Sequence, residues 1–171
     1  CRKNQINPWS AGDLIASASC FGLFFGRIAN FINAELWGRP ADMPWAVSFP
    51  TQAAQNCGQT LGEICTRHPS QLYEAALEGP VLFLLMAIFI FTRAWFKVPG
   101  QIIGIFFLGY GIARTIVEGF RQADPQFITD TNPMGHVIRI GEYGLTMGQC
   151  LSLPMAAIGI CLIIIARKRM K

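Results

Sequence analysis

The 171-residue sequence is 52% hydrophobic and only 14% charged, with a net charge of +4. Soluble domains carry roughly 25% charged residues, so this chain lacks the polar skin of a small soluble sphere, and its apolar content excludes intrinsic disorder. The weak, scattered positive charge argues against a nucleic-acid partner, and six cysteines without a C-x-x-C and only two histidines give no metal motif.

The composition implies an all-α integral membrane protein, a bundle of about four transmembrane helices forming a single domain over residues 1–171. In chain order, spans are expected over about 13–33, 78–96, 100–120 and 145–166, each near the ~20 residues that cross a ~30 Å hydrocarbon core. The fourth has no charged residue before its basic end. The others carry ionisable residues inside or at their ends. Between them lie two longer loops, 34–77 and 121–144. Gly22-x-x-x-Gly26 and Gly100-x-x-x-Gly104 are candidate points of close helix approach.

Charge fixes the expected orientation. Arg2, Lys3, Arg93, Lys97, Arg167, Lys168, Arg169 and Lys171 fall on one side with no acidic residue among those segments. The positive-inside rule makes that side cytoplasmic, with both termini there and both longer loops outside. Cys1 opens a basic segment that reads as a cytoplasmic loop, so the chain is expected to be the C-terminal portion of a longer membrane protein. Cys57 and Cys65 share an outer loop, where a disulfide persists, and are expected to pair. The remaining cysteines read as packing residues.

Ionisable residues inside spans are costly and mark function. Arg27 lies 14 residues past Asp13, the expected cytoplasmic end of the first span, and Arg114 lies 14 past Gly100, the expected start of the third. At ~1.5 Å per residue both reach ~21 Å from that side, so they share a depth. Two arginines at one level make a site for an anion, and a guanidinium binds phosphate bidentately while staying charged. The abundant phosphate at that depth is a phospholipid head group. Tyr110, Arg114, Glu118 and Arg121 form one stripe of the third helix, with Arg114 and Glu118 paired at i, i+4. Arg27 shares a face with Asn30, and Glu35 joins that half if the helix continues. Snorkelling with intrahelix pairing is the competing account, strongest at Arg121 near the helix end.

In His68-Pro-Ser-Gln-Leu-Tyr-Glu74, Pro69 suits a first helical turn and Gln71, Glu74 and Glu78 follow on one face. This reads as a helix with a polar stripe entering the second span and kinked at Gly79-Pro80. His68 is the proton-transfer candidate, with a structural role as its alternative. His136 reads as solvated in an acidic loop.

Gly26-Arg-Ile-Ala-Asn-Phe-Ile-Asn-Ala-Glu-Leu-Trp-Gly38 resembles the signature of the prolipoprotein diacylglyceryl transferase family. The resemblance continues at His68–Glu74, at Arg114-Thr-Ile-Val-Glu-Gly-Phe-Arg121 and at Met147-Gly-Gln149. It implies a bacterial inner-membrane, multi-pass enzyme of roughly seven spans. It also implies transfer of the diacylglyceryl group of phosphatidylglycerol to the lipobox cysteine thiol of a prolipoprotein signal peptide. The products would be a thioether and glycerol phosphate, with no cofactor. Arg27 and Arg114 are implied as the key residues. Phosphatidylglycerol binding is implied for both, with Asn30, Glu35, Gly38 and Glu118, and lesser support from Asn33, His68, Glu74, Tyr110 and Arg121. The family's earlier spans, with a His-Gly-Gly motif, have no counterpart in this sequence. The competing reading is an anion or lipid transporter or channel piece built on the embedded arginines.

Overall fold

The computed structural model describes residues 6–57, 63–93, 97–140 and 143–169. Three helices are long and apolar enough to cross a membrane: α1 (Pro8–Ile32), the continuous helix Ser70–Thr92 and α6 (Met147–Lys168). The third expected span, α5 (Gln101–Val117), is shorter. It is also the most enclosed, with Ile102, Ile105 and Val117 buried between its neighbours. A helix covered by other helices does not need the full length that lipid contact demands.

Each boundary has a local cause. The first span starts five residues before the expected Asp13: Asn7 caps α1 by accepting the Trp9 N–H at 3.0 Å, and Pro8 sits at the first helical position. The second begins at Ser70 rather than 78 and runs as α3 (Ser70–Ala76), a π-helical segment (Leu77–Val81) and α4 (Leu82–Arg93). Pro80 lies inside the π segment, whose extra residue per turn absorbs the proline that cannot donate to the α ladder. The end of that span expected at 96 lies outside the described residues. α6 starts with a capping box, in which Gln149 N–H donates to Thr146 Oγ1 at 3.3 Å and Thr146 N–H to Gln149 Oε1 at 3.2 Å.

The fold is not purely helical, contrary to expectation. The expected loop 121–144 contains an antiparallel hairpin, β1 (His136–Ile140) with β2 (Tyr143–Thr146), running directly into α6. Its β-branched residues favour the pleated surface, and the short pairing lets Thr146 end a strand and cap a helix at once. His136 is half-buried on β1, its ring against Gly144, so it is not a solvated loop residue. In the 34–69 region, a one-turn helix α2 (Gln52–Gln55) precedes Cys57, which is disulfide-bonded to Cys65 with Cα atoms 6.0 Å apart. Cys20, Cys150 and Cys161 are free.

Small residues let α5 and α6 touch. A Cβ on Gly111 would lie 2.7 Å from Ser152 O, and one on Gly104 would lie 2.8 Å from Ile163 Cγ1. Gly22 and Gly26 face open space instead, so that pair makes no helix contact among the described residues.

Asp13 is a buried cap for another helix, not the membrane end of α1. Its carboxylate accepts the Gly100 and Ile103 N–H groups, both at 2.8 Å, at the N-terminus of α5. Those N–H groups have no partner within α5, and a negative charge suits the positive end of the helix dipole. At the same end of the bundle the Arg169 guanidinium lies 4.7 Å from the Trp9 ring. The start of α1, the Lys97–Gly100 link and the end of α6 therefore share one end, as an alternating four-helix path requires. Arg2, Lys3 and Lys171 lie outside the described residues. Asp13→Ala should leave two buried donors unpaired, at roughly 1–3 kcal/mol each. Thermal unfolding of the full-length protein in detergent should show a clear drop, with Asp13→Asn milder. An unchanged midpoint for Asp13→Ala would mean the cap contributes nothing.

Candidate active site

Three stretches far apart in sequence meet at the opposite end of the bundle. After α1 the chain leaves helical geometry through Ala34 and Leu36, both at φ 55°. These left-handed residues cost of order 1–3 kcal/mol each and persist only where the surroundings hold them. Here Gln71 Nε2 donates to Glu35 O at 2.6 Å and Ser70 Oγ to Leu36 O at 3.1 Å, from two fully buried side chains. Gly38 N–H donates to His68 O at 2.9 Å, and Arg39 N–H to Phe120 O at 2.9 Å. A Cβ on Gly38 would sit 2.6 Å from both His68 O and Phe120 O, so only glycine lets the three segments close. Gly38 thus packs the site closed.

This closure brings Arg27 of α1 and Arg114 of α5 onto the same two carboxylates of the second span. Arg27 Nη1 lies 3.0 Å from Glu74 Oε2, and Arg27 Nε donates to Glu78 Oε2 at 3.2 Å. Arg114 pairs through Nη1 with Glu74 Oε1, and its Nη2 lies 3.5 Å from Glu118 Oε2. Its Nε is 3.9 Å from Glu78 Oε1. Arg121 Nη1 is also 3.9 Å from Glu74 Oε1. The equal depth read from the sequence is realised as direct convergence. The Arg114–Glu118 pair forms as the i, i+4 spacing implied. Tyr110 lies within electrostatic reach of Arg27, Arg114 and Glu78.

Burial separates Glu74 and Glu78 from the cations. The Glu74 and Glu78 side chains are 1% and 0% exposed, whereas those of Arg27, Arg114 and Arg121 are 16%, 10% and 18% exposed. The carboxylates form a floor and the guanidinium edges a rim. The Met147-Gly-Gln149 stretch completes it: Thr146 Oγ1 donates to Glu118 Oε1 at 3.0 Å, and a Cβ on Gly148 would strike the Glu118 carboxylate.

Other expected residues make different contacts. Glu35 does not extend the α1 stripe, because the helix ends at Ile32. Its exposed carboxylate accepts from Asn33 Nδ2 at 2.9 Å. Asn30 is half-buried and its backbone O accepts the Glu35 N–H at 2.9 Å. His68 Nδ1 lies 3.2 Å from Tyr73 Oη, and its ring packs edge-on against Tyr73 and Phe120, outside the ion-pair cluster. Burial holds the His68 imidazole below its ordinary pKa, so it is neutral at pH 7. Two residues went unassigned in the sequence. Glu78 was visible only as part of the Gln71–Glu74–Glu78 stripe. Arg67 is a structural hub, donating to Ala54 O at 2.6 Å, Asn56 O at 3.1 Å and Gly38 O at 3.2 Å.

Cavities lie on either side of the cluster. One is a space of about 780 Å³ of mixed lining, in which Arg39, Arg121 and Gln122 stand among Trp37, Pro40 and Ile128. Along α1 and the π segment lies an apolar hollow of about 360 Å³, lined by Cys20, Phe24, Gly79, Pro80 and Phe83. Phe24 is one turn from Arg27, and Gly79 adjoins Glu78. Partly exposed cations thus stand between a space of mixed lining and an apolar one.

Residues 1–165 match the family model for prolipoprotein diacylglyceryl transferase. The chain is 56% identical over 168 residues to a Cereibacter sphaeroides protein named phosphatidylglycerol–prolipoprotein diacylglyceryl transferase. That match covers 98% of this chain and 57% of the relative. A protein of the same name from Roseobacter denitrificans is 56% identical over 165 residues, covering 96% of this chain and 56% of its own length. One from Rhizobium meliloti is 50% identical over 166 residues, covering 97% and 52%. The chain spans about half the length of these curated relatives. With the four motifs in order along a match of this extent, the chain belongs to the prolipoprotein diacylglyceryl transferase family.

Proposed function

We propose that the full-length protein transfers the diacylglyceryl group of phosphatidylglycerol to the lipobox cysteine of a prolipoprotein signal peptide, leaving a thioether and releasing glycerol phosphate. The observation that carries this reading is the convergence of Arg27 and Arg114 at the border of an apolar hollow. Their exposed edges would hold the lipid phosphate. As the thiolate attacks the glyceryl carbon and the carbon–oxygen bond breaks, negative charge grows on the phosphate, where preorganised cations stabilise it most. The thiolate is the nucleophile, so the thiol proton must leave first. Glu74 and Glu118 orient the arginines, and Arg121 supports them from the outer rim. The family disfavours the transporter reading.

The basic end of the bundle would face the cytoplasm of a bacterial inner membrane and the site its outer half. This rests on the charge bias, to which Lys97, Arg167, Lys168 and Arg169 contribute. The test supplies the full-length protein in vesicles with phosphatidylglycerol labelled in its acyl chains and a lipobox peptide. Label should become covalently attached to the peptide cysteine and not to a Cys→Ser peptide. Uptake or exchange of lipid without attachment would overturn the enzymatic reading.

A further inference from the structure

Among the described residues, each edge of the Arg27 and Arg114 guanidiniums includes a nitrogen that already faces a carboxylate. Arg27 commits Nε to Glu78 and Nη1 to Glu74, while Arg114 faces Glu74, Glu118 and Glu78. A phosphate that takes two parallel hydrogen bonds from either arginine must displace a carboxylate. The two floor carboxylates are not held alike. Glu74 faces three guanidiniums, from Arg27, Arg114 and Arg121. Glu78 faces one at 3.2 Å and one at 3.9 Å. Glu78 also sits in the π segment beside Pro80, and π turns recur at functional sites because the looser backbone permits a shift.

We infer that Glu78 is the resident counter-anion of Arg27, that the lipid phosphate replaces it there, and that one proton is taken up by Glu78 when the phosphate arrives. This rests on the phosphatidylglycerol reading above. A carboxylate displaced from its guanidinium within a fully buried pocket cannot stay ionised without a partner. The six ion-paired groups carry three charges of each sign, so an added phosphodiester leaves an excess negative charge unless a carboxylate is neutralised. The step balances as ionised Glu78 plus phosphodiester anion plus one proton giving neutral Glu78 and bound phosphodiester anion. The groups facing Glu78 are Arg27 from α1, Arg114 and Tyr110 from α5, and Glu74 one turn away on its own helix. Arg39, a further cation at the outer edge, interacts with Glu118 instead. Glu78 would then set the affinity for lipid and tune it to pH without touching the reacting carbon, which makes it a positioning residue.

The experiment is binding of dihexanoyl phosphatidylglycerol to the full-length protein in detergent, by calorimetry at pH 5.5 to 8.5 in buffers of different ionisation enthalpy. The wild type should take up close to one proton on binding, and its affinity should fall about tenfold per pH unit through the upper part of that range. Glu78→Gln keeps the shape and removes the competing charge, so it should bind more tightly than wild type at pH 8 and lose the pH dependence. Weaker binding by Glu78→Gln would make Glu78 a simple structural counter-ion and overturn the inference. Should that variant fail to fold, the wild-type proton count decides alone, and no uptake overturns the inference. Pairing of Arg27 and Arg114 with lipid would survive a pH-independent affinity. Absence of any binding by the wild type would remove the phosphatidylglycerol reading itself.

Discussion

Arg27→Lys should insert normally and lose most transfer activity, by about 10²–10³, the ~2.7–4 kcal/mol typical of removing one contact to developing charge. The geometry makes the substitution severe. Arg27 works through two separate edges, Nη1 toward Glu74 and Nε toward Glu78, and the same planar fork would meet the phosphate. A lysine ammonium is a point charge on a flexible stem and cannot serve two acceptors in one plane. Arg121→Lys should be far milder, since its nearest carboxylate contact is 3.9 Å away. The measurement is transfer rate at matched levels of membrane-inserted full-length protein. Near-native activity for Arg27→Lys would leave only a snorkelling cation at that position. An unfolding midpoint measured on the same samples separates lost chemistry from a loosened cluster.

Much of this arrangement was legible because hydropathy and helical period are local properties. Counting residues from the membrane end placed Arg27 and Arg114 at one depth without knowledge of which helices touch. Asp13 served as the origin for Arg27 although the helix begins at Pro8. The count succeeded because Asp13 contacts Gly100, the other origin, so the two zero points coincide in space. Of the partners of the arginines, Glu118 was legible from its spacing to Arg114, and Glu74 and Glu78 were not. The stripe Gln71–Glu74–Glu78 was visible, but which neighbour it faces is decided by the Gly38–His68 and Arg39–Phe120 closures between distant segments. The condition under which Glu35 would share the Arg27 face, a helix continuing past Ile32, is not met, because Ala34 and Leu36 turn left-handed. Neither residue type announces that conformation. The hairpin at 136–146 escaped because strands of five and four residues give too short a period to stand out beside a helix of 22 residues.

Glu74→Ala should be the most damaging single change to the stability of the bundle. Glu74 joins α1 and α5 through one carboxylate, with Oε2 on Arg27 and Oε1 on Arg114, and Arg121 beyond. Removing one partner of a buried ion pair costs about 3–5 kcal/mol, because the remaining charge is left without compensation. Here three guanidiniums would share the remaining carboxylates, Glu78 and Glu118. Glu74→Gln keeps the volume and still leaves the charge excess, so it should recover only part of the loss. Glu35→Gln provides the contrast, since that carboxylate is exposed and accepts from Asn33, and its stability should match wild type. Denaturant or thermal unfolding of the full-length protein in one detergent ranks the three. Lipid binding then separates the two floor carboxylates. Glu78→Gln should strengthen it at high pH, whereas Glu74→Gln should weaken it, because the loss of the shared carboxylate lets the two arginines repel one another apart. Equal stability of Glu74→Ala and wild type would show that the arginines are solvated in the membrane-embedded protein and that the carboxylate floor does not hold the site together.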